Sequence, residues 1–79
     1  IFLKVSIIII LIMAKIQLNG RKLELKNKHS ILTLLKKYKI NEKKIAVELN
    51  GKILNYNKYK TVYVKNKDKI EIVHFIGGG

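Results

Sequence analysis

The spacing of apolar side chains predicts a small domain that opens with a β-hairpin. Polar and apolar residues alternate in 15–18 and again in 22–26, which is typical of half-buried strands. Asn19 and Gly20 lie between these runs, and Asn-Gly is the strongest short hairpin signal because a type I′ turn needs positive φ at both central residues. The predicted core face of this hairpin carries four apolar residues: Ile16, Leu18, Leu23 and Leu25.

The period then changes to that of an amphipathic helix. Its apolar residues are spaced i, i+3, i+4 and i+7 and form one stripe: Ile31, Leu34, Leu35 and Tyr38. Ser30 precedes the stripe and can accept hydrogen bonds from the free N–H groups of the first turn. Lysines follow at the other end, where the helix dipole favours cations. The pattern therefore predicts one helix that begins after Ser30 and ends near Lys39.

The second half of the chain returns to strand patterns. Ile45–Leu49 alternates, with Ile45, Val47 and Leu49 predicted to face inward. A second Asn-Gly turn at 50–51 precedes a short predicted strand over 52–54. We interpret the polar segment 55–60, including Tyr56 and Tyr59, as irregular. Residues 61–64 are weakly strand-like, 66–68 form a turn, and 69–76 form the last strand.

This order of elements predicts an α+β fold in which one helix packs on one face of a small mixed sheet. No proline or internal repeat divides residues 13–79, so we assign them to one domain. The apolar segment Ile1–Ile12 is too short to span a membrane and lacks a cleavage site after it. We interpret it as a leader that is either translated from upstream of a true start at Met13 or disordered.

The last strand predicts an exposed apolar surface. Ile70 and Ile72 point to one face, whereas Val73 and Phe75 point to the other. A single helix covers one face only, so Val73 and Phe75 are predicted to be exposed, and the outward Ala46 extends their surface. Exposed apolar patches often mark an interface, although single exposed apolar residues are also common.

Three glycines, Gly77, Gly78 and Gly79, follow this strand. A frayed terminus or a linker would also end in this way. However, a chain without Cβ atoms can thread a narrow channel, and a terminal carboxylate can become an acyl donor once it is adenylated. The 79 residues contain no cysteine, so only such a carboxylate could hold sulfur covalently.

Composition removes several classes of function. The absence of cysteine excludes a disulfide scaffold and a thiolate metal site, and the two histidines lie far apart in sequence. The sequence has no phosphate-binding loop and no Ser–His–Asp set. The net charge of +12 suggests a nucleic-acid or anionic-membrane partner. We discount that suggestion because Lys, Ile and Asn dominate the chain and all use A/T-rich codons. The lysines are also scattered along the sequence rather than gathered into one basic arm.

Two stretches, Ala46–Gly51 and Asp68–Gly79, resemble the ThiS family of sulfur carriers in thiamine biosynthesis. Lys15–Gly20 matches as well, so the resemblance covers Met13–Gly79. The ending His-Phe-Ile-Gly-Gly-Gly is more like this family than like the small subunit of molybdopterin synthase, which also ends in Gly-Gly. Lys67 stands where the family often has Gly.

The resemblance implies a β-grasp, ubiquitin-like fold and a carrier rather than an enzyme. It implies that a ThiF-like enzyme uses Mg-ATP to adenylate the Gly79 carboxylate, with no cofactor or metal bound to the carrier itself. Sulfur from a donor protein then gives a thiocarboxylate. A ThiG-like thiazole synthase would draw this sulfur into the thiazole ring.

The resemblance also assigns roles to residues and leaves alternatives open. Gly77 and Gly78 complete the reactive tail, and Val73 and Phe75 lie on the strand face that such carriers offer to partners. We expect a free monomer in the cytoplasm or a plastid stroma, with partners that are acidic near the docking site and with no nucleic-acid or membrane partner. The alternatives are a carrier for molybdopterin or tRNA thiolation and a small basic RNA-binding module.

Overall fold

The computed structural model describes residues 13–75, which form a five-stranded sheet with one α-helix. The strands are β1 (Ala14–Leu18), β2 (Arg21–Leu25), β3 (Ile45–Leu49), β4 (Lys52–Leu54) and β5 (Lys69–His74), and the helix is α1 (Ile31–Lys37). Two short 3-10 helices span Glu42–Lys44 and Tyr56–Lys58. The predictions for Ile1–Ile12, for Ile76 in the last strand and for the glycine tail lie outside the described residues.

The strand order is β2-β1-β5-β3-β4, so the last strand of the chain occupies the centre of the sheet. β5 pairs with β1 in parallel and with β3 antiparallel, while both hairpins are antiparallel. Helix α1 covers one face of this mixed sheet. The β-grasp architecture expected from the sequence is confirmed.

Both Asn-Gly turns have the predicted backbone conformation. Asn19 and Gly20 have φ values of 50° and 80°, and Asn50 and Gly51 have φ values of 52° and 85°. Positive φ at both central residues is the requirement of a type I′ turn, and Asn tolerates it better than most side chains. The first turn brings Ile16 directly opposite Leu23, and both face the core as predicted.

Helix α1 begins as predicted and ends earlier. The Oγ atom of Ser30 accepts a hydrogen bond of 3.1 Å from the Thr33 N–H, which satisfies a free donor of the first turn. The helix ends at Lys37, so Tyr38 is its C-terminal cap and is exposed rather than part of the buried stripe. Lys39 explains this end, because its φ of 58° turns the chain out of the helical conformation.

The segment after β4 is more ordered than its polar sequence predicts. Tyr59 is only 3% exposed and belongs to the core, so the interpretation of 55–60 as irregular is wrong there. The Tyr59 carbonyl accepts a 2.9 Å hydrogen bond from the Leu32 N–H, and the Val62 carbonyl accepts one of 2.9 Å from the Ile31 N–H. Burial raises the pKa of the Tyr59 hydroxyl. Residues 61–64 form no strand and make one isolated bridge, from Tyr63 to Ser30.

The core lies between the sheet and this covering segment together with α1. Its fully buried side chains come from four elements and are Leu25, Ile31, Leu34, Leu35, Val47 and Ile70. Large apolar side chains stabilise a domain by about 1.5–3 kcal/mol each when fully buried. This cluster therefore supplies most of the hydrophobic free energy that favours the folded state. The sheet face away from α1 has no such cover among the described residues.

Candidate docking site at the end of the last strand

The two faces of β5 differ as the sequence predicts. Ile70 and Ile72 are buried beneath α1, whereas Val73 is 52% exposed and Phe75 is 59% exposed. Alternation along the strand produces this difference, because successive side chains point to opposite faces. Two large apolar side chains therefore lie on the open face where the strand ends.

Two residues from neighbouring strands join them. Ala46 is half-buried and lies directly opposite Val73 in the β3–β5 pair, as the sequence predicts. Ile53, which is 69% exposed, lies opposite the outward-facing Glu48 and so faces the same side. We call Ala46, Ile53, Val73 and Phe75 the apolar patch. Within it, Ala46, Ile53 and Phe75 line one shallow groove of about 460 Å³.

Ile53 is the member that sequence reasoning missed. β4 has three residues, which is too short for alternation to assign a face. The pairing with Glu48 across the second Asn-Gly turn was the available signal, because a two-residue turn fixes the register of a hairpin.

The beginning of β5 is held by side chains as well as by the sheet. Asn50 Nδ2 donates to Asp68 Oδ1 at 2.9 Å, and Asn50 Oδ1 accepts from the Lys69 N–H at 2.8 Å. Asp68 is buried, and its second oxygen, Oδ2, accepts from the Lys65 N–H at 2.7 Å. The turn before β5 is thereby tied to the β3–β4 turn through a charge-assisted network.

The other Asn-Gly turn holds the middle of the strand. Asn19 Oδ1 accepts a 2.7 Å hydrogen bond from the Ile72 N–H, and the Asn19 N–H donates to the Ile70 carbonyl at 2.9 Å. Both asparagines thus act twice, once in a left-handed turn and once as a hydrogen-bond partner of β5. This double role explains why Asn rather than Gly suits the first turn position.

The chain leaves the sheet beside the apolar patch. The Phe75 N–H donates to the Lys44 carbonyl at 3.1 Å, and His74 lies opposite Ile45. Gly77, Gly78 and Gly79 follow in sequence and lie outside the described residues, so their reactive role stays a prediction. A partner that holds the patch would meet the residues after Phe75 next.

The described residues offer no obvious catalytic or metal centre of their own. Within 13–75, no group of three or more His, Cys, Asp or Glu side chains could hold a metal ion. An ion pair joins Lys69 Nζ and Glu71 Oε1 at 3.7 Å on the open face, where solvent makes it weak. Of the helices in this range, none combines the length and apolar character needed to cross a membrane.

Comparisons with known proteins agree with this architecture. The model of the ThiS family matches residues 10–79. The sulfur carrier protein ThiS of Bacillus subtilis (strain 168) is 40% identical over 65 residues, which are 81% of this chain and 98% of that protein. The thiazole synthase of Paramagnetospirillum magneticum (strain ATCC 700264 / AMB-1) is 37% identical over 65 residues, covering 82% of this chain and 20% of that protein.

A solved structure shares the fold. The crystal structure of the thiamine biosynthesis protein (ThiS) from Geobacter metallireducens matches with a TM-score of 0.72 at 28% identity. The match covers 82% of this chain and 99% of the other. The family match covers well over half of the chain, and the Bacillus relative is matched over nearly its whole length. The chain therefore belongs to the ThiS family, the ubiquitin-like sulfur carriers of thiamine biosynthesis.

Proposed function

We propose that the protein carries sulfur as a thiocarboxylate on Gly79 and donates it to the thiazole ring of thiamine. In the first step the Gly79 carboxylate attacks the α-phosphate of Mg-ATP, and pyrophosphate leaves. Sulfide released by a donor protein then attacks the acyl carbon of the adenylate, AMP leaves with the electron pair of the broken bond, and the new carbon–sulfur bond gives the thiocarboxylate. Both steps take place on a partner enzyme, which resembles ThiF.

The observation that carries this proposal is the course of β5 in a chain of the ThiS family. The strand is fixed at its beginning by Asn50 and Asp68, exposes Val73 and Phe75 at its end, and runs into three glycines. Exposed apolar side chains supply the desolvated centre that protein interfaces need. The glycines after them have no Cβ and can enter a narrow active site.

A thiazole synthase is the proposed acceptor of the sulfur. The 65 residues that match Paramagnetospirillum magneticum make up a fifth of a protein named thiazole synthase. A carrier-like stretch within that protein supports a working contact between the two activities, and the acceptor here would resemble ThiG. We place the reaction in the cytoplasm or a plastid stroma, where ATP is available to the adenylating enzyme.

Intact-protein mass spectrometry tests the proposal. The protein is incubated with Mg-ATP, a ThiF-like enzyme and a sulfur donor, and we expect a mass gain equal to one oxygen replaced by sulfur. The variant that lacks Gly79 but keeps Gly77 and Gly78 is the matched control, and it should gain nothing. No gain in the unaltered chain, with an enzyme proven active on its own carrier, would contradict the proposal.

A second assay separates thiazole formation from other uses of sulfur. The thiocarboxylated protein is mixed with thiazole synthase and its other substrates, and loss of the added sulfur mass is followed over time. Sulfur loss that requires the synthase supports the thiazole assignment. Sulfur loading of the carrier without such transfer would instead indicate a carrier for molybdopterin synthesis or tRNA thiolation.

A further inference from the structure

The two surfaces of the molecule differ sharply in charge. The open face comprises the outward strand residues of the described chain, and its charged members are Lys15, Lys22, Lys69, Glu24, Glu48 and Glu71. Three lysines and three glutamates give this face a net charge of zero. The other surface is formed by residues 26–44 and 55–65, which we call the covering layer.

The covering layer carries most of the surplus positive charge. It contains one acidic residue, Glu42, and ten lysines, which gives a net charge of +9. Every one of these lysines is exposed: Lys26, Lys28, Lys36, Lys37, Lys39, Lys43, Lys44, Lys58, Lys60 and Lys65. A codon bias acts on all positions alike, so it does not account for a neutral face on one side and a strongly basic layer on the other.

Three exposed tyrosines lie among the same lysines. Tyr38, Tyr56 and Tyr63 are exposed, and all three belong to the covering layer. Lys28 Nζ lies 4.8 Å from the ring centroid of Tyr63, within the range of a cation–π contact. Exposed rings interleaved with basic side chains are typical of proteins that bind single-stranded nucleic acid, since bases stack on rings while lysines meet phosphates.

One groove in the covering layer brings an exposed tyrosine ring and lysines together. It has a volume of about 430 Å³ and is lined in part by Lys36 of α1 and by Tyr56 and Lys60 of the segment after β4. The ring centroid of Tyr56 is 5.2 Å from that of the buried Tyr59, which supports it from one side. Glu42 is the only acidic residue in the lining.

We propose that the covering layer binds single-stranded RNA, with a base stacked on Tyr56 and adjacent phosphates on Lys36 and Lys60. An acidic protein surface would satisfy the lysines but would leave the exposed rings without a role, so the nucleic acid is the better fit. Tyr56 also lines the groove that contains Phe75, so this RNA site borders the apolar patch. RNA binding reverses the sequence-based expectation, which rested on codon usage and on the scatter of the lysines along the sequence.

Fluorescence anisotropy with a labelled single-stranded RNA of about 16 nucleotides tests the proposal on the full chain. We expect binding at about 50 mM salt that weakens steeply toward about 200 mM, because phosphate contacts release counterions. The double variant Lys36→Ala/Lys60→Ala should weaken binding about tenfold or more, since it removes two phosphate contacts from the groove. The matched double variant Lys15→Ala/Lys22→Ala removes the same charge from the open face and should change affinity by about twofold or less.

The ring contribution is tested separately. Tyr56→Ala should weaken binding about tenfold, as expected for one stacked base, while Tyr56→Phe keeps the ring and should bind normally. Circular dichroism checks that each variant is folded. If Tyr56→Ala does not fold, the comparison of the two lysine double variants still tests the proposal. Equal losses in the two lysine double variants would overturn the proposal. A second pair of results would also overturn it: polyglutamate displaces the labelled RNA as well as unlabelled RNA does, and Tyr56→Ala binds RNA normally. Those results would indicate an acidic protein partner instead.

Discussion

The two ends of β5 are built for different tasks. At its beginning, Ile70 is fully buried and Lys69 is bound by the side chain of Asn50, which also holds Asp68. At its end, Val73 and Phe75 are more than half exposed, and the Phe75 N–H is held by the Lys44 carbonyl. The beginning of the strand is therefore fixed within the fold, whereas its end presents an apolar surface to partners.

Residues that stabilise the fold and residues available to a partner are thus separated within the seven positions 69–75. Side chains at the beginning of the strand contribute to the free energy of unfolding through burial and hydrogen bonds. Side chains at its end contribute little to folding and are available to a partner. Substitutions at the two ends should therefore change different measured quantities.

The largest effect is expected at the buried beginning. Ile70→Ala removes a side chain that contacts no solvent and should lower the free energy of unfolding by about 2–5 kcal/mol. Urea denaturation measures this loss, with the exposed Val73→Ala as the control, which should lose less than about 1 kcal/mol. Equal losses in the two variants would mean that the ends do not differ in packing.

The next effect concerns the hydrogen-bond network before β5. Asn50→Asp removes the Nδ2 donor and places a second carboxylate against Asp68, so we expect a loss of about 2–3 kcal/mol at neutral pH. Asn19→Asp is the matched control in the other turn. It keeps an acceptor for the Ile72 N–H and should lose about 1 kcal/mol or less, also by urea denaturation.

The outcome at low pH sharpens this prediction. The loss in Asn50→Asp should shrink as acid protonates one of the paired carboxyl groups, because a shared proton removes the repulsion. A loss that is the same at neutral and low pH would show that repulsion with Asp68 is not its cause.

Substitutions at the exposed end of β5 should lower the rate of sulfur loading rather than the stability of the fold. The double variant Val73→Ser/Phe75→Ser removes two apolar contacts and should lower kcat/KM for sulfur loading about tenfold or more, as for central interface residues. Its free energy of unfolding should stay within about 1 kcal/mol of the unaltered protein. Lys22→Ser, a polar position on the same open face, is the control and should load normally. Loss of stability in parallel with loss of loading would assign these residues to the fold.

The smallest effect is a gain in stability. Lys67 has a φ of 72°, a left-handed conformation that glycine adopts without the steric penalty of a Cβ. Lys67→Gly should raise the free energy of unfolding by about 0.5–1 kcal/mol, and loading should not change because the turn lies at the anchored end. Lys65→Gly, at a residue without positive φ, should destabilise by a similar amount in the same measurement.

Most of the fold could be predicted because its signals are local. Alternating side chains gave the faces of β1, β3 and β5, and the two Asn-Gly pairs gave both hairpin turns. Ser30 marked the beginning of α1 through a hydrogen bond that reaches only three residues along the chain. The exposure of Val73 and Phe75 followed from the same alternation and from the presence of a single helix.

The features that sequence reasoning missed depend on contacts between distant segments. Tyr59 lies between polar neighbours, and its burial arises because its carbonyl meets the N–H of Leu32 at the beginning of α1. The hydrogen bonds that the side chains of Asn19 and Asn50 accept from β5 exist only because β5 lies between β1 and β3. Periodicity fixes the face of a strand but not its neighbours, so neither feature could be derived from it.

The central position of β5 has a consequence for how the domain folds. Of the described strands, β5 is synthesised last, yet it supplies the hydrogen bonds that join the two hairpins. Until it enters, the β1–β2 hairpin and the β3–β4 hairpin are separate two-stranded units, which are marginal in water. Closing the long loop between β1 and β5 should therefore limit the folding rate, and the sheet should form in one cooperative event rather than strand by strand.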